Sequence, residues 1–125
     1  MSRPVSRTST CSDADARNRL QQAQAFLNTA ELVLSDDSEA AHPGVASALA
    51  VLSGIAATDA ACCARLKQRA RGQDHREAIR LVGSVEPGGT EMAKHLRTLL
   101  TRKDDAHYGL HLVSRRDARR MVTAD

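Results

Sequence analysis

The side chains best able to do chemistry lie in Leu99-Leu100-Thr101-Arg102-Lys103-Asp104-Asp105-Ala106-His107-Tyr108-Gly109. Arg102 and His107 stand there with four residues between them. An imidazole with an ordinary pKa of about 6.5 takes or gives a proton near neutral pH. A guanidinium grips a phosphate at two points and stabilises negative charge that builds in a transition state. The same pair also suits a solvated helix end, where basic residues meet the negative end of the dipole. On a straight helix five residues turn through about 500°, leaving Arg102 and His107 about 140° apart. They meet at one phosphate only if the helix is distorted near Gly109 or if two protomers join their motifs across a two-fold axis. Lys103 and His107 stand four apart on one helix face, as do Asp104 and Tyr108.

Asp59 is the one ionisable residue on an otherwise apolar helical seam. A buried, unpaired carboxylate costs several kcal/mol, so it requires a partner. It can orient His107 or bond the Tyr108 hydroxyl. It can equally make a structural bond to a helix end or to Arg71. The basic run Arg69 to His75, with Arg71 and His75, can reach phosphates or a partner protomer, or serve as a charged turn with capping duties. His42, His95 and His111 are expected at the surface. Gly109 weakens the helix on which His107 and His111 would form a two-histidine face, and no metal site is expected.

These side chains need helices to hold them. Residues 1–12 have no periodicity and are expected as a flexible tail. A first helix starts at Ser12 or Asp13, with Asp13 and Asp15 at the positive end of its dipole. Leu20, Ala23, Leu27, Ala30 and Leu34 carry its helical repeat. A second runs from about Pro43 to Arg69, with Val45, Leu49, Leu52, Ala56, Asp59, Cys63, Leu66 and Ala70 as its seam. Val51, Ile55 and Cys62 form a second apolar row on this most buried helix. Gly72 is the expected cap, and Asp74 caps a short third helix carrying Ala78, Ile79 and Val82. A fourth starts at Thr90, turns Met92, Leu96, Leu99 and Leu100 inward and ends at Gly109. Ser114 to Asp117 has the form of a capping box for a fifth, with Val113 and Ala118 placed for a hydrophobic staple.

Composition agrees with helices. The chain has 125 residues, 42% of them hydrophobic, with one Phe, one Tyr and no Trp. Strands want more aromatic and β-branched residues. The net charge of +3 permits contact with nucleic acid. Two rings are too few for a surface that stacks bases, so such contact would run through Arg and Lys. Cys11, Cys62 and Cys63 form no expected disulfide framework; the odd count suits a reduced, cytoplasmic setting. Cys62 and Cys63 are expected as small core residues. No secretory signal and no stretch as long as a membrane span are expected.

The fourth and fifth helices, with Arg102, four residues and His107, the run Ala106-His107-Tyr108-Gly109 and the helix start at Val113-Ser114, resemble the HEPN family (higher eukaryotes and prokaryotes nucleotide-binding). The string Arg71-Gly72-Gln73-Asp74-His75 resembles a feature of its stand-alone actinobacterial members. The likeness covers roughly residues 13–124. It implies an all-α, five-helix, homodimeric bundle over residues 13–125. It also implies a metal-independent endoribonuclease without a cofactor, the toxin of a toxin–antitoxin pair with an antitoxin protein as partner. In that reading His107 is the acid or base at a ribose 2′-hydroxyl or leaving oxygen, and Arg102 clamps the phosphate. Lys103, Asp104, Tyr108, Asp59, Arg71 and His75 assist. Lys103 departs from the Asn, Asp or His that follows the motif arginine in active members. A register shifted by one, with Lys103 in the arginine position, resembles a non-catalytic HEPN module that binds nucleotide, RNA or a partner protein.

Overall fold

The structure is a computed structural model that describes residues 7–35, 42–71, 74–108 and 115–124. For residues 103–108, 115 and 124 it describes the helical backbone alone. Five helices form the described chain: α1 (Asp13–Ser35), α2 (Pro43–Leu66), α3 (His75–Gly83), α4 (Gly89–Tyr108) and α5 (Arg115–Ala124). The all-α expectation holds, with one addition: a two-stranded antiparallel sheet of β1 (Thr8–Thr10) and β2 (Gln68–Ala70).

Local chemistry sets the helix starts. Ser12 and Asp15 cap α1 reciprocally: the Ser12 amide donates to Asp15 Oδ2 at 2.8 Å, and the Asp15 amide donates to Ser12 Oγ at 3.1 Å. These donors, the backbone amide first, hold the Asp15 carboxyl below the usual carboxylate range. His42 caps α2, its Nδ1 accepting from the Gly44 amide at 3.0 Å, with Pro43 in the first turn. Asp74 caps α3 as expected, Oδ1 accepting from the Glu77 amide at 3.1 Å. Ser114 and Val113, the expected cap and staple of α5, lie outside the described residues, as do Gly72 and Gly109.

The end of α2 differs from expectation. The helix stops at Leu66 because Lys67 adopts a left-handed conformation (φ 57°), its amide bonded to the Cys63 carbonyl. The next three residues become β2, pairing Thr8 with Ala70, Ser9 with Arg69 and Thr10 with Gln68. The ladder is extended by Cys11 N–H to Lys67 O and Arg71 N–H to Arg7 O, both 2.9 Å. Over Thr8–Thr10 the expected tail is therefore a strand. A disulfide between Cys11 and Cys63 fastens it to α2. This corrects the expectation of three unpaired thiols: nothing in a three-cysteine count reveals a bond spanning 52 positions.

α1 and α2 form a long antiparallel pair. Lys67 pairs with Asp13, Arg19 reaches Asp59, and Ser53 Oγ donates to the Ala23 carbonyl at 2.8 Å. Small side chains line this seam. Ala16, Ala23 and Ala30 are buried on α1, and Ala46, Ala50, Ser53, Ala56 and Ala60 on α2. Close backbone approach follows from their size, so the seam does not follow the larger residues of the expected repeat. Val45, Leu52 and Leu20 are exposed, while Ala56, Asp59 and Cys63 are buried as expected.

Each end of α2 has its own cluster. At its start, Ala46, Ala50 and Val51 pack with Leu99 of α4 and with Ala118, Met121 and Val122 of α5. Toward its end, Cys62 packs with Leu81 and Val82 of α3, Val85, and Ala93 of α4. By length and composition α2 also meets the requirement for a membrane-crossing helix, which no stretch was expected to reach. Yet 56% of its most apolar window is buried inside the bundle, as in a core helix. Gly89 permits the tight α3–α4 corner; a Cβ there would stand 2.3 Å from the Val82 carbonyl oxygen.

Candidate functional site

Helix α4 runs unbroken from Gly89 to Tyr108. Leu96 and Leu99 anchor it in the core, and Arg102, one turn beyond Leu99, is half-buried. Since the helix continues through position 107, positions 102 and 107 stay about 140° apart around the axis and about 7.5 Å apart along it. No distortion before Tyr108 brings them together within one protomer. The side chains of Lys103, Asp104, His107 and Tyr108 lie outside the described residues.

Beside this end of α4 lies α5, whose Ala118, Met121 and Val122 face the core. Its outward positions carry Arg116, Arg119 and Arg120, all exposed. Spacings of three and four put these guanidiniums on one face. The motif reading did not single them out. Their signal was present in Arg115-Arg116-Asp117-Ala118-Arg119-Arg120, where buried Ala118 separates two arginine pairs. Leu99, one turn before Arg102, packs in one cluster with the buried face of α5, while Arg119 borders a groove with Leu27, Glu31 and Leu34 of α1.

Asp59 has different partners from those expected. Its Oδ2 accepts from Arg19 Nε and Nη2, each at 2.9 Å, and lies 3.6 Å from Arg69 Nη1. Arg19 Nη1 also donates to Gln22 Oε1 at 2.7 Å. The Asp59 side chain is only 10% exposed, so the paired guanidiniums answer the need that the sequence posed. Arg71 is exposed and takes part through its backbone amide, while His75 opens α3 half-buried.

Arg19 and Arg69 also wall a polar cleft of about 380 Å³ beside the disulfide, with Asn18 and Gln22. Cys63 is buried and Cys11 half-buried. Cys62 turns the other way into the α3–α4 cluster, where burial first and then the Asp59 charge push its thiol up to about 12. Among the described residues no group of three His, Cys, Asp or Glu could hold a metal ion. The chain matches no protein-family model, and no curated protein or solved structure is significantly similar to it.

Proposed function

We propose that the chain is a HEPN-type endoribonuclease that cuts RNA without a metal and works as a homodimer, the toxin of a toxin–antitoxin pair. The observation that carries this reading is that two basic elements meet one core cluster: α4, with half-buried Arg102 one turn beyond Leu99, and α5, with exposed Arg116, Arg119 and Arg120. The α5 arginine face attracts a phosphate backbone without reading bases and needs no stacking rings. Along the bound strand, His107 takes the proton from a ribose 2′-hydroxyl. The freed oxygen attacks the neighbouring phosphorus, the bond to the 5′-oxygen breaks, and that oxygen takes a proton from water, while His107 later returns its own proton to solvent. Arg102 balances the charge that builds on the phosphate oxygens. The products are a 2′,3′-cyclic phosphate and a 5′-hydroxyl. The 140° offset on a straight helix requires the two groups to come from different protomers.

The test is cleavage of a labelled RNA by the purified full chain, with and without a chelator. Cleavage should survive the chelator, fall at least about 100-fold in His107→Ala and Arg102→Ala, and arrest growth on expression unless His107 is replaced. RNA bound but never cut would replace this reading with the non-catalytic HEPN module suggested by Lys103. An RNA neither bound nor cut would end both.

A further inference from the structure

The sheet end of the bundle carries a second arrangement, independent of the proposed ribonuclease. The Cys11–Cys63 disulfide forms part of the wall of the polar cleft between the start of α1 and strand β2. Its two residues differ in burial: Cys63 belongs to the core of α2, and Cys11, between β1 and α1, is half-buried. Around them stand the carboxamides of Asn18 and Gln22 and the guanidiniums of Arg19 and Arg69. Arg19 is committed to Asp59 and Gln22. Arg69 makes one longer contact with Asp59, and its side chain is 46% exposed. Asp15 also borders the cleft but is occupied in the α1 cap. The walls therefore offer an amide-and-guanidinium surface suited to a carboxylate and peptide groups, with a disulfide beside it.

We propose that this cleft is a thiol–disulfide exchange site for a small peptide thiol that carries a carboxylate. Its thiolate attacks Cys11 Sγ, the sulfur of the less buried residue. The protein S–S bond breaks, its electron pair leaves on Cys63 Sγ, and that sulfur takes a proton from water. Cys11 now holds the small thiol in a mixed disulfide. A second thiolate attacks the small thiol's sulfur, releasing the low-molecular-weight disulfide and leaving Cys11 to take up a proton. In sum, one protein disulfide and two thiols give one protein dithiol and one small disulfide, with the thiol as reductant. Cys62, about 100° around α2 and packed in the α3–α4 cluster, takes no part. Exchange removes the covalent tie between Cys11 and α2, leaving β1 held by its antiparallel ladder.

The test follows reduction of the air-oxidised full chain by glutathione and by 2-mercaptoethanol at matched thiolate concentrations. With glutathione the rate should saturate, because binding in the cleft precedes exchange. With 2-mercaptoethanol, which has no carboxylate or amide, it should rise linearly. Asn18→Ala and Arg69→Ala should each raise the half-saturating glutathione concentration at least about threefold, and peptide mapping should find the adduct on Cys11. A linear glutathione dependence, an adduct on Cys63, or an oxidised chain lacking the Cys11–Cys63 bond would each overturn the proposal.

Discussion

Asp59 shows what a single residue discloses before its surroundings are known. A carboxylate on an apolar helix face must find a cation or donors, and that requirement is readable from helical spacing. The partners are not, because Arg19 lies 40 positions away in sequence and Arg69 lies past a helix end that the periodicity conceals. The Arg19 pair is two-pronged and screened by the α1–α2 seam, whereas Arg69 makes a longer, half-exposed contact with the same oxygen. Removing the carboxylate leaves Arg19, its side chain only 26% exposed, without its ion-pair partner at the seam. Asp59→Ala is therefore expected to cost about 3 kcal/mol, and Arg69→Ala under about 1 kcal/mol, as read from urea unfolding midpoints at constant slope. Equal losses would mean that Arg69, not Arg19, is the principal partner. The disulfide was hidden for a related reason: an odd cysteine count and adjacent Cys62 and Cys63 say nothing of which sulfur faces strand β1.

Among the elements, starts were more legible than ends. Caps such as Ser12 with Asp15 and Asp74 with Glu77 act over three residues, so a short stretch of sequence contains the whole device. The end of α2 depends on Lys67 entering the left-handed region without a glycine, and β2 is three residues long, too short for alternation to show. The buried seam was misplaced because helical repeats direct attention to leucine and valine, while α1 and α2 meet through alanine and serine. The α3–α4 corner tests how closely these elements are held. Gly89→Ala would place a methyl 2.3 Å from the Val82 carbonyl, a backbone atom with no side-chain freedom to retreat. It should destabilise the chain by about 2 kcal/mol or more. At Gly83 an added Cβ meets only the Ala93 methyl at an ordinary 3.7 Å, so Gly83→Ala should be neutral or gain about 0.5 kcal/mol. Thermal unfolding of the two variants side by side distinguishes local crowding from a general intolerance of this corner.

At the scale of the whole molecule, the helical bundle separates two chemically different ends. One carries the disulfide and its polar cleft, and the other carries α5, with its exposed arginines, packed on the cluster around Leu99. α2 spans the distance between them, about 20 Å from Ala50 to Cys63 by helical rise. The single chain cannot complete the proposed nuclease centre, because an unbroken α4 keeps positions 102 and 107 on different sides of one helix. A two-fold axis removes the conflict if Arg102 of one protomer meets His107 of its partner. That arrangement has a distinctive consequence for mixed dimers. A protomer bearing His107→Ala still supplies Arg102, and one bearing Arg102→Ala still supplies His107, so their heterodimer regains one intact centre. Equal mixing with free exchange makes half the dimers hetero, so about a quarter of the original centres return. Each variant alone should be inactive, and cleavage should reappear on mixing to about a quarter of the unaltered rate. If both residues instead acted within one protomer, every centre in the mixture would lack one group, and mixing would restore nothing.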